Sequence, residues 1–268
     1  MSVTAGAETC AITSSRLQIG DVDLELHRAG KGPTLMFLHG AGGFDPAAPF
    51  VQMLARDFDV VAPAHPGFGS SSLPFWMDSV DDLVHVQLAV MERLDLRDVT
   101  LVGASLGGWI AAELATKNQS RLSRIVLVSP VGIKVGPRDK LDIPDVFAMS
   151  HADLDALMVA DPAKRKRDYA AMSDDALRTL ARNRETLALV AWEPYMHNPK
   201  LKHRLGAIAR PTLLLRGAKD GLVSADYASA YAGLIPGATL EAVPDAAHAP
   251  HMERPEDFVA RVKRFAHV

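Results

Sequence analysis

The order in which apolar runs recur along the chain constrains its fold more than any other feature. Short runs rich in β-branched residues fall at 34–38, 60–62, 99–102, 125–128 and 212–215, each closed by Gly, Pro or Ser. Runs that are apolar throughout, rather than alternating, suit strands covered on both faces. Between them lie helical patterns, the clearest of which puts Val80, Leu83, Val84, Leu88 and Met91 on one stripe behind Ser79 and Asp82, spaced as a helix-start signal. Strand and helix in alternation predict a mostly parallel sheet with right-handed crossovers and helices on both faces. Residues 17–29, with Gly20-Asp21 between two alternating arms, read as an antiparallel hairpin at the sheet edge, so the sheet is mixed.

The rhythm lapses from 131 to 210. This stretch is helical and charge-rich, carries Pro144, Pro162, Pro194 and Pro199, and gives way to the strand pattern at 212–215. It predicts one α/β core domain made of 1–130 and 211–268, interrupted by a helical cap at 131–210. Domains of roughly 150 residues are typical, but α/β folds reach about 250 as one unit. The basic run at 164–167 reads as a solvated helix face.

With 29 Lys and Arg against 32 Asp and Glu, the net charge of −3 offers no positive field for a nucleic-acid backbone. No stretch approaches the roughly 20 apolar residues that span a membrane. The opening MSVTAGAETCAITSS has no positive segment followed by an apolar run of secretory length. The single cysteine, Cys10, forms no intrachain disulfide and builds no multi-thiolate metal site. A cytoplasmic protein without metal, nucleic-acid or membrane partners is the expectation.

Gly103-Ala104-Ser105-Leu106-Gly107 follows the 99–102 run and opens an Ala-rich helical segment at 109–116. A serine at such a strand-to-helix turn sits in strained backbone with its hydroxyl exposed, and the flanking glycines let neighbouring backbone pass. A serine hydroxyl is a weak nucleophile until an imidazole, itself oriented by a third group, takes its proton. Among ten histidines, His248 stands just past the strand pattern Thr239–Val243, where a loop can overhang the turn. His251, three residues on, is the rival and is read as structural.

The orienting carboxylate is Asp220, which comes directly after the 212–215 run in Arg216-Gly217-Ala218-Lys219-Asp220-Gly221. The end of the 125–128 run offers Ser129-Pro130-Val131-Gly132 and no carboxylate. Donors for a developing oxyanion are assigned to the backbone amides of Leu106 and of Ala41 or Gly42, in His39-Gly40-Ala41-Gly42-Gly43 after the 34–38 run. His39 is read as a brace for that loop.

On these residues the chain resembles the α/β-hydrolase superfamily, in the size and layout of small esterases and carbon-carbon bond hydrolases. The order Ser105, Asp220, His248 matches the superfamily's order of nucleophile, acid and histidine. The likeness extends to His39-Gly40, to Ala62-Pro63-Ala64-His65-Pro66-Gly67-Phe68-Gly69-Ser70 and to the ending His248-Ala249-Pro250-His251-Met252-Glu253-Arg254-Pro255. It implies an α/β-hydrolase fold, with a mostly parallel eight-stranded sheet, helices on both faces and a helical cap. Ala64 replaces an Asp that the family often has at a supporting turn. Ala249 stands where carbon-carbon hydrolases of ring-fission products commonly have Trp, and a serine elbow departs from the dehalogenase and epoxide hydrolase branches, which use aspartate.

The leading expectation is a carboxylic-ester hydrolase for small to medium apolar acyl or aryl substrates. It needs no cofactor, works as a monomer or homodimer, and lines its pocket with Phe44, Met149, Trp192, Tyr195 and Met196. A second reading is a carbon-carbon bond hydrolase of meta-cleavage (vinylogous diketone) products, in which Arg178, Arg182 or Arg184 binds a substrate carboxylate. A third is a ligand receptor that keeps the triad and uses the cap as a switch.

Overall fold

The computed structural model describes residues 10–164 and 168–268. Its strands are β1 (Ile12–Ile19), β2 (Val22–Ala29), β3 (Thr34–Leu38), β4 (Asp59–Pro63), β5 (Val99–Ala104), β6 (Leu122–Val128), β7 (Thr212–Gly217) and β8 (Thr239–Val243). Helices α1 (Pro49–Leu54), α2 (Val80–Arg93) and α3 (Leu106–Lys117) precede β6. After it come α4 (His151–Met158), α5 (Asp174–Ala191), α6 (Leu201–Arg204), α7 (Ala225–Gly233), α8 (Pro250–Glu253) and α9 (Pro255–Ala266).

The strands form one eight-stranded sheet in the order β1-β2-β4-β3-β5-β6-β7-β8. β1 and β2 are the anticipated hairpin, antiparallel with Ile19 opposite Val22. β2 meets β4 antiparallel, and every neighbouring pair from β4 to β8 is parallel. Side chains alternate across a strand, so a fully buried strand feeds two core layers. On β5, Val99 and Leu101 enter the layer shared with α2 and α3, whereas Val102 and Ala104 enter the layer shared with α1 and α9. This is why the β5 run is apolar without alternation. Helix α2 starts where the sequence signals it: Asp82 N–H donates to Ser79 Oγ at 3.3 Å, and Ser79 N–H donates back to Asp82 Oδ2 at 3.1 Å.

Between β6 and β7 the described residues add no strand to the sheet; they form α4, α5, α6 and three single 3-10 turns. Ser150 and Ser173 cap α4 and α5 by accepting from the amides of Asp153 and Ala176. Helix α5 buries Asn183, Thr186, Leu187 and Val190, a helical stripe turned inward. The basic run at 164–167 lies outside the described residues, apart from the backbone of Lys164. Among the described residues, no helix is long and apolar enough to cross a membrane.

Candidate active site

Parallel strands all end on the same edge of the sheet, and the loops beyond β3, β5, β7 and β8 bring the singled-out residues together there. Ser105 joins β5 to α3 with φ 53° and ψ −112°, left-handed backbone that a residue with a Cβ seldom adopts. The turn is possible because its neighbours lack side chains. A Cβ on Gly103 would lie 2.2 Å from Gly107 O, and one on Gly107 would lie 2.0 Å from Leu38 O.

Ser105 Oγ stands 2.9 Å from His248 Nε2. On the other side of the ring, His248 Nδ1 is 3.1 Å from Asp220 Oδ2 and 3.3 Å from Oδ1. Asp220 and His248 are both buried. Asp220 Oδ1 also accepts from the amides of Leu222 and Val223, each at 2.9 Å, and Arg216 ties the same turn by donating to Val223 O at 2.7 Å and Asp220 O at 2.5 Å. Burial alone would raise the Asp220 carboxyl; His248 beside it and the Val223 amide outweigh burial and hold it below its ordinary 3.8. An ionised Asp220 accepts from Nδ1–H and so leaves Nε2 free to take a proton from Ser105.

The other histidines are held elsewhere. His251 packs against the rings of Phe50, Phe37 and Phe258 at 5.1, 5.7 and 5.8 Å, and burial, aided by nearby His248, pushes it down to about 3. His39 Nε2 accepts from His65 N–H at 3.0 Å. An amide only donates, so the His39 proton sits on Nδ1 and goes to Gly40 O, 2.7 Å away. Burial pushes His39 down to about 4, so it is a neutral ring joining the loop after β3 to the loop after β4.

Gly40 packs against the elbow; a Cβ there would lie 3.4 Å from the Ser105 Cβ. Gly43 N–H closes the turn onto Gly40 O at 3.1 Å. Leu106 is the first residue of α3, where a helix leaves its amide without an internal acceptor.

The insertion meets the site through backbone. Leu157 O accepts from Gly221 N–H at 2.9 Å, and Met158 O accepts from His248 N–H at 3.1 Å. Glu253 spans the same junction: it accepts from Ala247 N–H at 2.9 Å and from Ala160 N–H at 2.7 Å. From α5, Thr186 donates to Gly67 O at 2.9 Å and Arg182 to Ser71 O at 2.5 Å. No motif in the sequence marks these contacts.

The residues expected to line a pocket fall in two groups, Phe44 in one core layer and Met149, Trp192, Tyr195 and Met196 on the side of the other. Phe44 lies against His27 and Phe37, at 5.1 and 5.9 Å between ring centres, in the layer of α1 and α9. Trp192 is half exposed and stacks edge-on against Phe147 and Tyr195. Tyr195 spends its hydroxyl as a brace, accepting from Val146 N–H at 2.8 Å and donating to Pro144 O at 2.7 Å. Met196 is buried and Met149 half buried. Tyr195 and Met196 line a cleft of about 300 Å³ with Ile133, Ile143, Leu141 and Arg138, and none of Ser105, Asp220 and His248 borders it. Of the three arginines, Arg178 pairs with Asp175 on the surface and Arg184 reaches Val146 O.

A family model described as the alpha/beta hydrolase family matches residues 35–262. The chain is 29% identical, in an alignment of 270 positions that covers 97% of this chain and 71% of the relative, to the dihydrolipoyllysine-residue acetyltransferase component of the acetoin cleaving system of Cupriavidus necator. It is 28% identical, in an alignment of 261 positions that covers 88% of this chain and 97% of the relative, to a pimeloyl-[acyl-carrier protein] methyl ester esterase of Nitrosomonas europaea. Among solved structures, 2-hydroxy-6-oxo-6-phenylhexa-2,4-dienoate hydrolase of Rhodococcus superimposes with a TM-score of 0.78 over 97% of this chain and all (100%) of that one. At 21% identity that likeness is one of fold.

Proposed function

The chain belongs to the alpha/beta hydrolase family, and on that premise we propose that it is a serine hydrolase cleaving carboxylic esters of small to medium apolar acyl or aryl groups. The observation that carries this reading is the 2.9 Å contact between Ser105 Oγ and His248 Nε2, backed by Asp220 on Nδ1 at 3.1 Å. Ser105 attacks the ester carbonyl while its proton passes to His248 Nε2. Asp220 holds the ring in the tautomer that receives that proton and stabilises the imidazolium. The amide of Leu106, with that of Ala41 or Gly42, takes the oxyanion. His248 then returns the proton to the leaving alcohol. Water, deprotonated by the same ring, resolves the acyl-enzyme.

In this reading residues 131–210 act as a cap over the acyl pocket, and the core domain of 1–130 and 211–268 carries the chemistry. The methyl ester esterase relative supports ester cleavage. The carbon-carbon reading draws less support: Ala249 follows His248, and Arg182 already holds the carbonyl of Ser71. A panel of nitrophenyl esters set against a vinylogous diketone acid separates them. The esters are expected to turn over and the acid to be left intact; turnover of the acid alone reverses the assignment, and ligand binding without turnover favours the receptor.

A further inference from the structure

Asn183 is a polar residue on the buried stripe of α5, 3% exposed. A buried amide is costly unless both of its ends are paired, and both are. Oδ1 accepts from Gly69 N–H at 3.0 Å, and Nδ2 donates to Gly42 O at 3.0 Å. The Gly69 amide can only donate, so it fixes which end of Asn183 faces Gly42.

Gly42 sits in the turn that Gly43 N–H closes onto Gly40 O. The peptide plane between Gly42 and Gly43 is thus held at both ends, its carbonyl by Asn183 and its N–H by Gly40. Room for this grip exists because residue 43 is glycine: its φ is +89°, and a Cβ there would lie 2.8 Å from Asn183 Nδ2. At the other end of the turn Gly40 abuts Ser105. The amides of Ala41 and Gly42 hang from a frame pinned between the elbow and α5. Neither makes a hydrogen bond with another described residue.

We propose that Asn183 is a positioning residue for the oxyanion site: it orients the turn whose amides receive the charge, so the site is complete only while α5 is seated on the core. This rests on the ester-hydrolase reading. Hydrogen bonds aimed at the oxyanion strengthen in the transition state, so a mispositioned donor lowers kcat more than it raises KM.

The test compares Asn183→Ala and the nearly isosteric Asn183→Asp, which keeps an acceptor for Gly69 N–H and loses the donor for Gly42 O. Each is assayed with a nitrophenyl ester and with phenylboronic acid, which forms a tetrahedral anion on an active serine, beside Ser105→Ala. The expected result is a kcat lower by about 10- to 100-fold with KM within about twofold, and boronate affinity weakened in the same proportion. A folded Asn183 variant with kcat and boronate affinity both within about twofold of the parent overturns the proposal, as does a loss of kcat with boronate affinity unchanged. If Ser105→Ala keeps its activity, the ester-hydrolase reading itself fails and takes the proposal with it.

Discussion

Ser105 and Asp220 leave the ends of parallel strands by short turns and His248 follows β8 in a short loop, whereas the insertion reaches the neighbouring loops with backbone carbonyls of α4 and with the side chains of Arg182, Asn183 and Thr186 on α5. The first region is built by residues whose identity the chemistry dictates. The second is built by backbone groups and by side chains that orient the loops without taking part in the reaction. Chemistry should therefore fail outright when the first is altered, and lose precision by degrees when the second is.

The largest effect belongs to the strand ends. Ser105→Ala is expected to leave the fold intact and lower kcat by roughly 10³-fold or more, and Asp220→Asn to cost nearly as much by supplying the wrong tautomer. Steady-state kinetics beside a thermal melt measure both. His248→Ala should match them, whereas His251→Ala should act mainly on stability, because its ring packs among Phe37, Phe50 and Phe258. A reversed order of the two histidines in the same assay exchanges their roles.

At the junction the effect should be intermediate. Glu253→Gln keeps one acceptor but turns an NH2 group toward one of the two amides that Glu253 now receives, from Ala247 and Ala160. A drop of about tenfold in kcat with KM little changed is expected, since a small displacement of His248 costs rate rather than affinity. Unchanged kcat would show that the insertion does not steady the base.

Stability divides the regions in the same way. Leu214 on β7 is fully buried, while Leu187 on α5 is 7% exposed. Leu214→Ala should cost about 4 kcal/mol and Leu187→Ala about 2 kcal/mol by urea unfolding, since a cavity at the sheet collapses less. Per unit of stability lost, Leu187→Ala should lower activity more, because α5 carries Asn183.

The last contrast is one of pH, and it acts on stability rather than on the chemistry. Burial depresses His39 to about 4 and His251 to about 3 from an ordinary 6.5, and His65 is also held well below it. The unfolded chain therefore takes up these protons first. The stability tied to these neutral rings is whole above pH 6.5 and declines as pH falls toward 4, by up to ~1.4 kcal/mol per unit for each ring. Urea midpoints between neutral pH and pH 4.5 test this, and a flat profile contradicts it.

The sheet and the three chemically distinctive residues were legible because each rests on a local demand. Glycines at 103 and 107 answer contacts of 2.2 and 2.0 Å that no Cβ survives, and continuous apolar runs mark strands buried twice. The contacts from Leu157 and Met158 left no such mark, since any residue offers a carbonyl. Asn183 carries no mark of its own, since α5 buries the polar Thr186 on the same face. Where Phe44 and Tyr195 would sit was not legible: an aromatic residue near a loop signals burial, but which side of the loop it enters depends on packing from distant parts of the chain.

The most direct measurement is labelling of the intact protein with a fluorophosphonate, followed by location of the adduct by mass spectrometry. One adduct per chain on Ser105, abolished in His248→Ala, is the result expected if this hydroxyl is primed by that imidazole. Absence of labelling in the folded protein, or an adduct on another residue that persists in Ser105→Ala, contradicts it.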